Sequence, residues 1–88
     1  MLPTVNMPRI MDFLVGLLNT PSPTGYTDEA IAYVRRAFES IGLPDLALEE
    51  TIKGALIATL PGESETAPRA LSAHVDTIGA MVREIKTN

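Results

Sequence analysis

The spacing of apolar residues changes once along this chain, and the change falls at Gly42-Leu43-Pro44. Before that point hydrophobic residues recur every three or four positions, the period of a helix lying on a core. After it they run consecutively or alternate, as they do in strands. A chain that switches period in this way has to build a helical half and a sheet half and bury one against the other. The helical half is itself divided by Thr20-Pro21-Ser22-Pro23-Thr24-Gly25, where two prolines and a glycine leave few helical options.

The first helix is predicted from about Met7 to Asn19. Asn6 can cap it, Pro8 suits its opening turn, and Ile10, Phe13, Leu14, Leu17 and Leu18 form its apolar face. The second helix is predicted to start at Thr27 as N-cap, with Asp28 and Glu29 in the first turn, where the helix dipole favours negative charge. Ala30, Ile31, Val34, Ala37, Phe38 and Ile41 make its stripe, Arg35 and Arg36 fall on the solvated face, and Gly42 followed by Pro44 supplies the stop. The stretch from Pro21 to Gly25 reads as a rigid connector with no catalytic role.

In the second half, Leu46 to Ile52 has the pattern of a half-exposed strand. Lys53-Gly54 turns it into Ala55 to Leu60, whose nearly continuous apolar run suits a strand buried on both faces. A polar loop from Pro61 to Arg69 follows, and two further strands are predicted at Ala70 to Val75 and Ala80 to Lys86. Two helices and about four strands cannot cover both faces of a sheet, and Asn88 suits entry to a hairpin turn with no returning strand. The chain therefore reads as the N-terminal part of a longer protein. A domain of 88 residues would in any case bury only about 60 to 65% of its unfolded surface.

The run Leu71 to Gly79 carries the chemistry, because it holds the only histidine of the chain, His74, two residues before Asp76. Alternate residues of an extended segment face the same way, so Ser72, His74 and Asp76 share one side and Leu71, Ala73 and Val75 the other. A carboxylate on one imidazole nitrogen fixes the tautomer and leaves the other nitrogen's lone pair for a cation. Spacing alone more often marks an ordinary hydrogen-bonded pair, since a metal site needs at least three protein ligands.

A net charge of -4 with seven scattered basic residues leaves no footprint for nucleic acid or anionic lipid. The absence of cysteine removes disulfides, thiolate nucleophiles and Cys-based zinc sites, and any metal would be held by N and O ligands. Asp12 interrupts the apolar run Ile10 to Leu18 and no small-residue cleavage site follows, so it does not read as a signal peptide. No stretch reaches the roughly 18 to 20 apolar residues that span a bilayer. A cytoplasmic location and no membrane partner are expected.

Several of these residues together carry a resemblance. Leu17-Leu18-x-x-Pro21-Ser22-Pro23-x-Gly25, the helix ending at Gly42, the run Leu56 to Leu60 before Gly62, and Ser72-Ala73-His74-Val75-Asp76-x-x-Gly79-Ala80-Met81-Val82 resemble, in order, the start of an M42 family metallopeptidase, the glutamyl aminopeptidase and endoglucanase-M-like proteins. What the resemblance implies is an α/β fold class: residues 1–88 would be the N-terminal segment of an α/β/α sandwich catalytic domain, ending near the start of an inserted β-rich dimerisation domain. It implies a cytoplasmic two-metal aminopeptidase that removes N-terminal residues from peptide substrates and forms homo-oligomers. It implies that His74 ligates one of two divalent metals, zinc or cobalt, and that Asp76 orients the imidazole. The remaining ligands and the general base match nothing in this chain, so the 88 residues are expected to be inactive alone. Thr77 stands where many members carry Glu, which suggests a variant branch, such as that linked to synthesis of a dipeptide osmoprotectant, or a peptidase-like protein without activity. A noncatalytic interaction module built on Ser72, His74 and Asp76 is the reading from a different class.

Overall fold

The computed structural model describes residues 2–87; Asn88, read above as a turn residue, lies outside the described residues. Helix α1 runs Met7–Leu18 and α2 runs Asp28–Ile41; the strands β1, Ala47–Glu50, and β2, Leu56–Thr59, follow. The local signals act as the sequence requires. Asn6 Oδ1 accepts from the Arg9 amide at 3.1 Å, closing the start of α1 with a proline in its first turn. At the other end of the helical half, Gly42 takes a left-handed φ of 74° and its amide donates to Glu39 O. Thr27 occupies the N-cap of α2, but its hydroxyl caps nothing, because its backbone (φ -107°, ψ 9°) has left the extended region in which a side chain reaches back to the first turn.

The helices meet through an aromatic contact and a hydrogen bond. The rings of Phe13 and Tyr33 lie 5.5 Å apart, and the Tyr33 hydroxyl donates to Phe13 O at 2.9 Å. Gly16 makes this possible, since a Cβ there would collide with the Tyr33 phenol.

The hairpin forms where it is predicted. β1 and β2 pair antiparallel, with Ala47 opposite Thr59 and Glu50 opposite Leu56. Thr51 closes the turn: its amide donates to Ala55 O at 2.8 Å, its Oγ1 accepts from the Ala55 amide at 3.0 Å, and Gly54 supplies the positive φ of 89°. Arg35 is not simply a solvated charge, because it bridges Glu39 within α2 (3.1 Å) and Glu50 on β1 (3.5 Å).

The two later strands do not form ladders. Among the described residues, the stretch 70–86 makes one isolated parallel bridge, Thr77 with Pro23. A strand exists through a partner backbone, and β1 and β2 are paired with each other. Nor is the run Ala55 to Leu60 buried on both faces: Ile57 is 43% and Leu60 56% exposed, because among the described residues no layer lies over them. Among the described residues Ala30 is the one fully buried apolar side chain. The Cα radius of gyration is 16.8 Å, against about 12 Å for a compact domain of this length. The accessible surface is 8271 Å², where a self-sufficient domain of this mass would show about 5,000 Å². The arrangement is an incomplete α/β unit whose apolar faces are formed but uncovered.

Those faces enclose an open groove of about 1280 Å³, lined by Ile10 and Phe13 of α1, Val34 and Phe38 of α2, Leu56 of β2, Leu71 and residues 73–76. Among the described residues no helix is long and apolar enough to cross a membrane.

Candidate metal centre

The connector between the helices builds half of the site. The Tyr26 amide donates to Pro23 O at 2.9 Å, so Pro23 to Tyr26 form a β-turn, with Gly25 at the third position and a φ of 89°. Thr24 therefore stands at the turn's second position, its first corner. The turn docks on the segment that follows His74: the Thr77 amide donates to Ser22 O at 2.7 Å, and the Thr77 hydroxyl donates to the same oxygen at 3.3 Å. Pro23 packs against Gly79, where a Cβ would sit only 3.3 Å from the proline Cβ. Ser22 is held inside the joint at 4% exposure, its hydroxyl without a partner.

Asp76 is gripped from both sides. Thr24 Oγ1 donates to Asp76 Oδ2 at 2.8 Å, and His74 Nδ1 meets Asp76 Oδ1 at 2.9 Å and the Asp76 carbonyl oxygen at 3.2 Å. The hydrogen bond from Thr24 first, and that from His74 second, hold the Asp76 carboxyl below its ordinary value. Asp76 is thus an anion at neutral pH, and an anionic carboxylate only accepts. Both oxygens facing Nδ1 are acceptors, so Nδ1 carries the hydrogen, and in the neutral ring the lone pair is on Nε2. The His74 side chain is 84% exposed, leaving that lone pair open to the solvent at the groove's edge.

The structure brings His74 and Asp76 together, the pairing that alternation along an extended segment predicts. Ser72 is not brought in: among the described residues it makes no hydrogen bond to either. Thr24, Ser22 and Thr77 are the residues that sequence reasoning missed. Thr77, noted for the Glu it replaces, spends its amide and hydroxyl on Ser22 O. A threonine inside a Pro-x-Gly turn was the available signal, but nothing local reveals that the turn meets a segment 52 residues away.

The donor set fits one metal ligand and no more. His74 has one ring nitrogen held by a carboxylate, the usual arrangement of a ligating histidine, whose neutral form would offer the Nε2 lone pair. Among the described residues no three of His, Cys, Asp or Glu converge.

Comparison with known proteins gives two matches. Residues 54–88 match the family model described as M42 glutamyl aminopeptidase. Over 83 residues the chain is 43% identical to the "Putative aminopeptidase YhfE" of Bacillus subtilis (strain 168), an alignment that takes in 91% of this chain and 22% of that protein. The chain thus spans about a fifth of the length of the curated relative it matches. No solved structure matches it significantly.

Proposed function

We propose that the chain belongs to the M42 glutamyl aminopeptidase family, a reading its two matches support, and that it forms part of the catalytic domain of a divalent-metal aminopeptidase and provides one corner of its metal centre. The observation that carries the reading is the short contact of His74 Nδ1 with Asp76 Oδ1, which leaves Nε2 free. Each residue has a stated task. His74 offers Nε2 to a cation, zinc or cobalt, and Asp76 keeps the hydrogen on Nδ1 and prevents the ring from turning. What divalent cations supply in a two-metal site is Lewis acidity toward the scissile carbonyl and a bound water.

The substrate is the N-terminal end of a peptide. The whole protein is a cytoplasmic homo-oligomer, and the uncovered apolar faces of α1, α2 and the hairpin are where its remaining layers rest. The 88 residues do not catalyse alone, because one imidazole in open solvent holds zinc weakly.

The test pairs two preparations. The 88-residue chain, assayed on aminoacyl p-nitroanilides with added zinc or cobalt, shows no turnover. The complete protein is expected to turn over in a metal-dependent way, with His74→Ala lowering both bound metal and rate by at least about 100-fold. Equal metal content in wild type and His74→Ala would remove His74 from the ligand set.

A further inference from the structure

The Pro21–Gly25 connector has a hydroxyl aimed at the site. We propose that Thr24 is a positioning residue for the metal centre: by holding Oδ2 of Asp76 it commits Oδ1 to His74, and so fixes the imidazole in the Nδ1–H tautomer with Nε2 facing outward. The inference rests on the metallopeptidase reading only for the statement that a metal uses Nε2.

The geometry carries it in three steps. First, a free Asp side chain rotates about its last bond and offers either oxygen in many directions. With Thr24 Oγ1 at 2.8 Å on Oδ2 and His74 Nδ1 at 2.9 Å on Oδ1, that rotation is stopped at both ends. Second, the positioning group is itself fixed. Thr24 belongs to a turn closed by Tyr26 N to Pro23 O (2.9 Å), and the turn is pinned by Thr77 N to Ser22 O (2.7 Å). Third, Asp76 is 40% and His74 84% exposed, so surrounding packing does not immobilise the pair and the hydrogen bonds must. A hydrogen bond to a charged group is also about twice as strong as one between neutral partners.

The experiment separates the hydroxyl from the turn. Thr24→Val keeps the branched shape and removes the donor; Thr24→Ser keeps the donor. In the metal-free protein labelled with 15N in histidine rings, with the His74 signal assigned through His74→Gln, the two ring nitrogens report the tautomer. Exchange protection of the Thr77 amide reports whether the turn remains docked. The expected result is a wild-type Nδ1–H tautomer that becomes mixed in Thr24→Val and returns in Thr24→Ser, with Thr77 protected in all three. Zinc affinity of the complete protein should fall about tenfold in Thr24→Val and recover in Thr24→Ser.

An unchanged tautomer in Thr24→Val overturns the proposal. So does a changed tautomer accompanied by loss of Thr77 protection in both variants, since the turn rather than the hydroxyl would then be responsible. A tautomer that follows the hydroxyl in a protein that binds no metal would uphold Thr24's role while overturning the metallopeptidase reading.

Discussion

The β1–β2 hairpin and the joint between Ser22–Thr24 and Asp76–Thr77 are built on opposite principles. In the hairpin, neighbouring segments pair over four registered positions around a turn that Thr51 and Gly54 close locally. It has the most regular hydrogen bonding of the sheet half and no chemistry. The joint has one bridge and a few side-chain bonds, its halves lie more than fifty residues apart, and it sets the position of the only imidazole. Local propensity is enough to close a turn. Placing a functional group requires a long-range contact, whose loop-closure entropy is met by steric fit and charge-assisted bonds.

The contrast is tested most severely at Gly79. Its missing side chain is what lets Pro23 approach, and a Cβ there already lies 3.3 Å from the proline Cβ. Gly79→Val adds two methyl groups beyond that point and should weaken the joint by about 1–3 kcal/mol, the usual range for overpacking. Hydrogen exchange is the measurement: the Thr77 amide should lose protection while the Thr51 amide in the hairpin keeps it. Parallel loss at both positions would mean that the two regions are one cooperative unit.

Ser22 tests the joint in the opposite direction. Its hydroxyl is buried without a partner, a condition that costs about 1–3 kcal/mol for a polar group. Ser22→Ala keeps the carbonyl that receives both bonds from Thr77 and discards the unsatisfied oxygen. It should therefore raise Thr77 protection by about 1 kcal/mol. A fall would show that the hydroxyl is paired in solution.

How much of this was legible follows from the same division. Asn6, Gly42 and Lys53-Gly54 announce the ends of elements because capping and turn chemistry are decided within a few residues. His74 and Asp76 could be placed on one side although their segment joins no ladder, because the parity of side chains needs only an extended backbone. Strands at 70–75 and 80–86 were expected from composition, but composition cannot supply a pairing partner. The continuous apolar run of β2 showed what that strand is made to be covered by, not whether a cover is present. Thr24 was invisible for a further reason: its relevance lies in where the turn docks, and no periodicity encodes that.

On the hairpin's side, the smallest effect is expected at Arg35, which joins α2 to Glu39 and Glu50 at 3.1 and 3.5 Å. Those side chains are 36%, 55% and 47% exposed, so water and salt compete for both pairs. Arg35→Ala should cost no more than about 0.5 kcal/mol, read as the exchange of the Thr51 amide in the hairpin turn. That small difference should vanish above roughly 0.5 M salt, where screening reaches only a few ångströms. The turn is closed by its own bonds, so the hairpin would stand without its tie to α2. A loss of more than about 1 kcal/mol, beyond what exposed pairs deliver, would mean that the hairpin too depends on a contact made at a distance, and that the division between local and long-range construction does not hold for this chain.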